Sequence, residues 1–149
     1  MNTNFEQNLE KLGITLPTPV APVANYVPFV ITGNLLSISG QIPVDSNGKL
    51  PFVGKVGQDI SPEDAVQAAR LCAINIISQA KAACNGDLSR IVRIVKLGAF
   101  VNCTDGFPGQ PAIVNGASDL MVAVFGDAGK HSRSAVGTNA LPLNVSVEI

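Results

Sequence analysis

Charge is what this sequence has least of. Only 14% of its 149 residues are Asp, Glu, Lys or Arg, against about 25% in an ordinary soluble domain. Ten basic and eleven acidic side chains nearly cancel, leaving a net charge of −1, and no basic run exceeds two residues. A tight grip on a phosphate backbone needs a concentrated positive field. Nucleic acid is therefore not an expected partner. Aromatics make up 5% of the chain, with no Trp, so a base-stacking platform is equally hard to find.

Histidine is nearly missing too, with one residue, His131. A Ser-His-Asp triad would have to be built on it, and no Ser sits in a Gly-x-Ser-x-Gly elbow. The cysteines Cys72, Cys84 and Cys103 are odd in number and form no CxxC spacing. No metal site is expected, and reduced, buried thiols are the plain reading. Cys103, in a loop, is the thiol expected to be most exposed. No Walker loop or dinucleotide glycine fingerprint is present, and no cofactor is expected. The N-terminus lacks a basic-then-apolar leader, and no apolar run approaches the roughly 18 residues of a membrane span. A cytoplasmic location without membrane contact is the resulting expectation.

Against these shortages, 46% of the residues are hydrophobic. A lone small domain with so little charge would show much apolar surface to water, which points to self-association. The chain reads as one domain over 1–149, with 1–16 as a helical N-terminal extension. Thr3 to Leu12 has Phe5, Leu9 and Leu12 at helical spacing, a Thr3 cap and a stop at Gly13. Pro17, Pro19 and Pro22 hold an extended linker. Tyr26–Ile31 and Leu35–Ile42 read as strands around a Gly33-Asn34 turn. Asp45 to Gly48 is another turn, followed by a short segment at Phe52–Val56. Ser61-Pro62-Glu63-Asp64 opens a helix reaching Ala83, with Ala65, Ala69, Cys72, Ile76, Gln79 and Ala83 as its core stripe. Ile91–Val101 is the central-strand candidate, rich in β-branched residues. A second long helix spans Ala112–Phe125. The order ββ(β)αβαββ predicts an α+β fold, a mixed sheet with both helices on one face. No element remains to cover the other face, which again argues for an oligomer.

The last nineteen residues carry the candidate chemistry. Strand periodicity puts His131, Arg133, Ala135 and Gly137 on one face and Ser132, Ser134 and Val136 on the other. After Leu141-Pro142, the residues Leu143, Val145, Val147 and Ile149 share an apolar face. Asn144, Ser146 and Glu148 share a polar one. A guanidinium fork suits a planar carboxylate. Read alone, though, Arg133 is more readily a solvated strand arginine. By the same standard Tyr26 is a packed aromatic, Ser39 a strand serine, Asn115 a polar helix-face residue and His131 a surface or interface histidine.

The pattern Ser132-Arg-Ser-Ala-Val136, Leu141-Pro142 and Val147-Glu148-Ile149 resembles the C-terminal signature of the Rid family. These are the reactive intermediate deaminases, or YjgF-like proteins, also called L-PSP endoribonucleases. Ile38-Ser-Gly-Gln-Ile-Pro43, Asn25-Tyr26-Val27 and Val114-Asn115 resemble its other motifs, in the right order, from about Pro19 to Ile149. The resemblance implies a fold like the small trimeric chorismate mutases, a homotrimer and sites in clefts between subunits. It implies that Arg133 binds a substrate carboxylate and that Glu148 positions the hydrolytic water. Tyr26, Ser39, Asn115 and Ala135 would line the pocket. Family members often carry Cys and Glu where this chain has Ala135 and Gly137, changes expected to widen the pocket. Glu148 stands one residue from the end of the sequence, where pairing can fray. The implied activity is hydrolysis of reactive 2-imino acids, derived from enamines such as 2-aminoacrylate, to 2-oxo acids and ammonia. An endoribonuclease and a non-catalytic trimer that binds small carboxylates are the alternatives.

Overall fold

The computed structural model of the chain describes residues 4–19 and 24–149. Helix α1 (Phe5–Lys11) is capped by Asn4, whose Oδ1 accepts from Gln7 N at 3.1 Å. The expected cap Thr3 and the linker residue Pro22 lie outside the described residues. Phe5 and Leu9 are buried, and the Phe5 ring meets Phe125 edge-on with centroids 4.8 Å apart. Leu12, expected in that stripe, is the C-cap residue and stays exposed.

Strands β1 (Phe29–Thr32) and β2 (Leu35–Ile38) form the expected antiparallel hairpin, with Gly33 at φ +58° in its turn. Both are shorter than their apolar runs. Asn25 and Tyr26 sit in a bend, and Pro28 offers no N–H for the ladder. Past Ser39 the chain leaves β1, and Gln41 pairs with Ile149 instead. The Asp45 turn forms as expected, its carboxylate accepting from Asn47 N and Lys49 N. Phe52–Val56 makes isolated bridges only, from Val53 to Val145 and from Val56 to Cys103 and Ile60. Positive φ at Gly54 and Gly57 bends it out of any longer ladder.

Helix α2 (Pro62–Ala83) has the bounds the sequence implies, with Ser61 Oγ accepting from Asp64 N at 3.1 Å. Its buried face is wider than the expected stripe. Ala68, Ala73, Ile77 and Ala80 are also buried, whereas Ile76 is only half-buried. The cause is packing on two sides, against the sheet and against α3 (Gln110–Phe125). Gly116 of α3 lies against the Val66 backbone oxygen, an approach that any Cβ would block. Helix α3 starts two residues before Ala112, because Pro111 is compatible with a first helical turn.

Strand β3 (Lys96–Asn102) is central, parallel to β4 (Ser132–Thr138) and antiparallel to β5 (Val147–Glu148). Residues 91–95, expected in this strand, lie outside it. Val92 is 87% exposed, and Ile94 N donates to Ala128 O instead of to a ladder. Before β5, Pro142–Asn144 forms a 3-10 turn with Leu143 at φ +54°, which throws Leu143 out to solvent. Val145, Val147 and Ile149 are buried as expected. Ser146 is buried as well rather than on a polar face, its backbone tied to Phe52 O and Asn102 N.

Gln41 and Ile149 exchange two backbone hydrogen bonds, of 2.8 and 3.0 Å. They tie the segment after the hairpin to the residue after Glu148. The hairpin itself stays a two-stranded sheet apart from the three-stranded mixed sheet, so the single sheet expected from the sequence is divided in two. The result is α+β, with mixed β-structure and both long helices against one face, where Leu97, Ala99, Val101 and Val147 form the floor of the core. On the opposite face Phe100 and Val136 remain 47% and 46% exposed. No helix among the described residues is long and apolar enough to cross a membrane.

Candidate active site

Register decides where each candidate side chain goes. Across β3 and β4, Leu97 pairs with Arg133, Ala99 with Ala135 and Val101 with Gly137. Directly paired residues share a face, so these β4 residues point toward the helices, in the alternation the sequence implies. Arg133 there lies along α3. Its Nη1 donates to Asn115 Oδ1 at 2.9 Å and to Ser118 Oγ at 3.1 Å, and its Nη2 donates to Pro111 O at 3.2 Å. Three of the five guanidinium N–H groups are therefore in use. Nε–H and the second Nη2–H have no partner among the described residues, and an Nε–H with an Nη2–H forms the edge that holds a carboxylate side-on. The ion pairs among the described residues are Glu6–Lys81 and Asp127–Lys130, so no carboxylate there neutralises Arg133.

Ser118 was not a candidate from sequence. The signal was present: Pro111, Asn115 and Ser118 recur at i, i+4 and i+7, one line along a largely apolar helix. Ser118 also meets His131, with Oγ and Nε2 3.0 Å apart, while His131 Nδ1 reaches Gly129 O at 2.6 Å. His131 is thus half-buried and engaged at both nitrogens, rather than a free surface group.

Glu148 pairs with Phe100, on the sheet face away from the helices. Its carboxylate lies against Gly40, with Oε1 where a Cβ on that residue would be. Half-buried and without a hydrogen-bond partner among the described residues, it has its pKa raised by loss of solvent. Gly40 also borders a cleft of about 350 Å³ shared with Tyr26, Ser39 and Gln41. Ser39 Oγ donates to Val27 O at 2.7 Å and so fastens the bend carrying Tyr26, which is exposed rather than packed.

The candidates therefore fall into two groups. Arg133, Asn115 and Ala135 belong to the α3–β4 side; Glu148, Ser39 and Tyr26 belong to the other. Within one chain, β3 separates Arg133 from Glu148, and the two side chains leave opposite faces of the sheet. The expected widening at Gly137 does not occur. A Cβ there would stand 2.9 Å from both Cys103 Sγ and Gln110 Nε2, so those groups already fill the space. Cys103 is accordingly buried, not exposed, and Cys72 and Cys84 are buried with it. Ala135 is half-buried against the core.

A mixed sheet carrying two helices on one face, with an arginine seated on the second helix, defines a YjgF-like domain. Residues 6–149 match the family model described as "YjgF/chorismate mutase-like, putative endoribonuclease". Protein TCP17 of Trypanosoma cruzi is 44% identical over 143 residues, 95% of this chain and 88% of that protein. The crystal structure of an Agrobacterium tumefaciens protein of unknown function superposes with a TM-score of 0.90 at 51% identity, covering 97% of this chain and 87% of that one. A crystal structure from Shewanella oneidensis, named "putative endoribonuclease", gives a TM-score of 0.92 at 38% identity, covering 97% of this chain and 94% of that one. The chain belongs to the YjgF/chorismate mutase-like family.

Proposed function

We propose that this protein is an enamine/imine deaminase, a homotrimer that hydrolyses 2-imino acids to 2-oxo acids and ammonia. One observation carries the reading: Arg133 is braced on α3 with two donors left over and no acidic partner among the described residues. An unneutralised guanidinium with a free edge suits a small planar carboxylate. The 2-imino acid would present its carboxylate to that edge. Water then adds to the C=N carbon, with Glu148 taking a proton from it as the C–O bond forms. Glu148 returns that proton to the nitrogen, which has taken the C=N electron pair, and the carbinolamine results. Its hydroxyl proton then passes to the nitrogen as the C=O bond forms, the C–N bond breaks and ammonia leaves. Half-burial raises the proton affinity of Glu148, which suits general-base work.

Arg133 and Glu148 diverge within one chain, so this chemistry needs Arg133 of one copy facing Glu148 of another. The exposed Phe100 and Val136 favour such an assembly, and the number three follows the family resemblance. The uncatalysed reaction is itself feasible. Positioning and an oriented water are therefore enough, with no cofactor required. The endoribonuclease description of the family is the other reading, and the net charge of −1 counts against it. The test is ammonia and 2-oxo acid release from freshly generated 2-iminopropionate. A rate equal to the no-protein blank would leave carboxylate binding without catalysis as the better reading.

A further inference from the structure

We infer that Ser118 and His131 are positioning residues for Arg133, joined to it in a hydrogen-bonded relay of fixed polarity. The inference rests on Arg133 being the carboxylate ligand. The Gly129 carbonyl can only accept, so the contact at 2.6 Å requires the proton on His131 Nδ1. In the neutral ring Nε2 is then an acceptor, and the hydroxyl of Ser118 donates to it at 3.0 Å. With its own proton committed, Ser118 Oγ offers a lone pair to Arg133 Nη1 at 3.1 Å. With the ring neutral, every hydrogen in the line has one direction, from the guanidinium through Ser118 and the imidazole to Gly129.

Two members of this line, Ser118 and Gly129, are held by the same helix. Ser118 is on α3. Gly129 is packed so tightly on α3 that a Cβ there would stand 2.6 Å from the Met121 carbonyl carbon. His131 and Arg133 bracket the start of β4, with Ser132 between them donating its backbone N–H to Val95 O. The relay therefore fixes β4 to α3 where the guanidinium must be aimed. A long side chain held in place before binding loses less freedom when the ligand arrives.

The experiment compares Ser118→Ala, Ser118→Thr, His131→Phe and the double variant Ser118→Ala/His131→Phe in the full-length oligomer. Two quantities are read: kcat and KM for 2-iminopropionate, and the equilibrium Kd for pyruvate, a stable 2-oxo acid. Ser118→Ala is expected to raise KM and Kd about five- to tenfold while kcat stays within about twofold, the signature of lost uniform binding. Ser118→Thr restores both. His131→Phe leaves α3 untouched, so it tests the relay even if Ser118→Ala folds poorly, and it should raise Kd about threefold. The double variant should be no worse than Ser118→Ala, because His131 acts through the hydroxyl. Unchanged Kd in both folded single variants, or fully additive losses, would overturn the relay. Arg133→Ala separates the two readings. If it abolishes pyruvate binding while the folded Ser118→Ala and His131→Phe variants keep the wild-type Kd, the clamp stands and the relay falls. If it binds pyruvate like wild type, the clamp falls and the relay with it.

Discussion

The Glu148 carboxylate occupies the space that a β-carbon on Gly40 would need. Glycine at 40 is thus a requirement of the glutamate's placement. Gly40→Ala would push against the mobile end of a side chain and not against backbone, so the fold should absorb it. The expected outcome is a loss of roughly ten- to a hundredfold in kcat from a displaced base, with the thermal midpoint almost unmoved. Unfolding followed by circular dichroism, beside an ammonia assay, checks both halves.

Arg133→Lys keeps the charge but not the planar two-point grip. Losing one charge-assisted hydrogen bond is worth roughly 1.5–3 kcal/mol, about ten- to a hundredfold in kcat/KM. Arg133→Ala should lose more, because the carboxylate then enters without a counter-charge. Wild-type turnover from a folded Arg133→Ala oligomer would rule out the clamp.

Burial holds the Glu148 carboxyl above the ordinary glutamate range. The folded chain therefore keeps this proton to higher pH than the unfolded chain does. Its contribution to stability is full below the unfolded value and is lost as pH rises through the raised folded value. Activity should move the other way, rising over that window as the base form appears. Glu148→Gln should flatten the acid limb of the pH–rate profile and also remove this component of the stability profile.

Gly137 faces Cys103 Sγ and Gln110 Nε2 at 2.9 Å each, measured from an ideal β-carbon. Gly137→Ala should cost about 1–3 kcal/mol by overpacking. Cys103→Ala in the same chain should recover part of that cost in urea unfolding. Simple additivity of the two changes would show that the contact does not matter.

Light scattering should give a trimer mass at micromolar concentration. Phe100→Asp with Val136→Asp, both on the uncovered sheet face, should shift the protein toward monomer and abolish turnover. A monomeric wild type with full activity would contradict a site shared between copies.

Local chemistry made some of this legible in the sequence. Ser61-Pro62 announced α2 because cap and first-turn residues act within a few positions, and Gly33-Asn34 announced its hairpin for the same reason. The β-branched run before β3 misled, because propensity cannot see that Ile94 finds Ala128 instead of a neighbouring strand. Leu143 misled likewise, since the turn after Pro142 breaks the alternation that would have buried it. The family resemblance singled out Arg133 and Glu148 as candidates. Their divergence was not, for it depends on which residue of β3 each one pairs with. Ser118 was readable only by treating Pro111, Asn115 and Ser118 as one line on a helix.

The Gln41–Ile149 backbone pair has a bearing on the order of assembly. Arg133 finds Asn115 at a separation of 18 residues, within a single strand–helix–strand unit. Glu148 meets Gly40 only after the chain has closed a loop roughly six times longer, an extra entropic cost of roughly 1.5 kcal/mol. A nascent chain grown as far as β4 already has what it needs to seat the arginine. The carboxylate side forms only when β5 reaches back to the start of the fold, so the arginine's seat can be formed before Glu148 is in place.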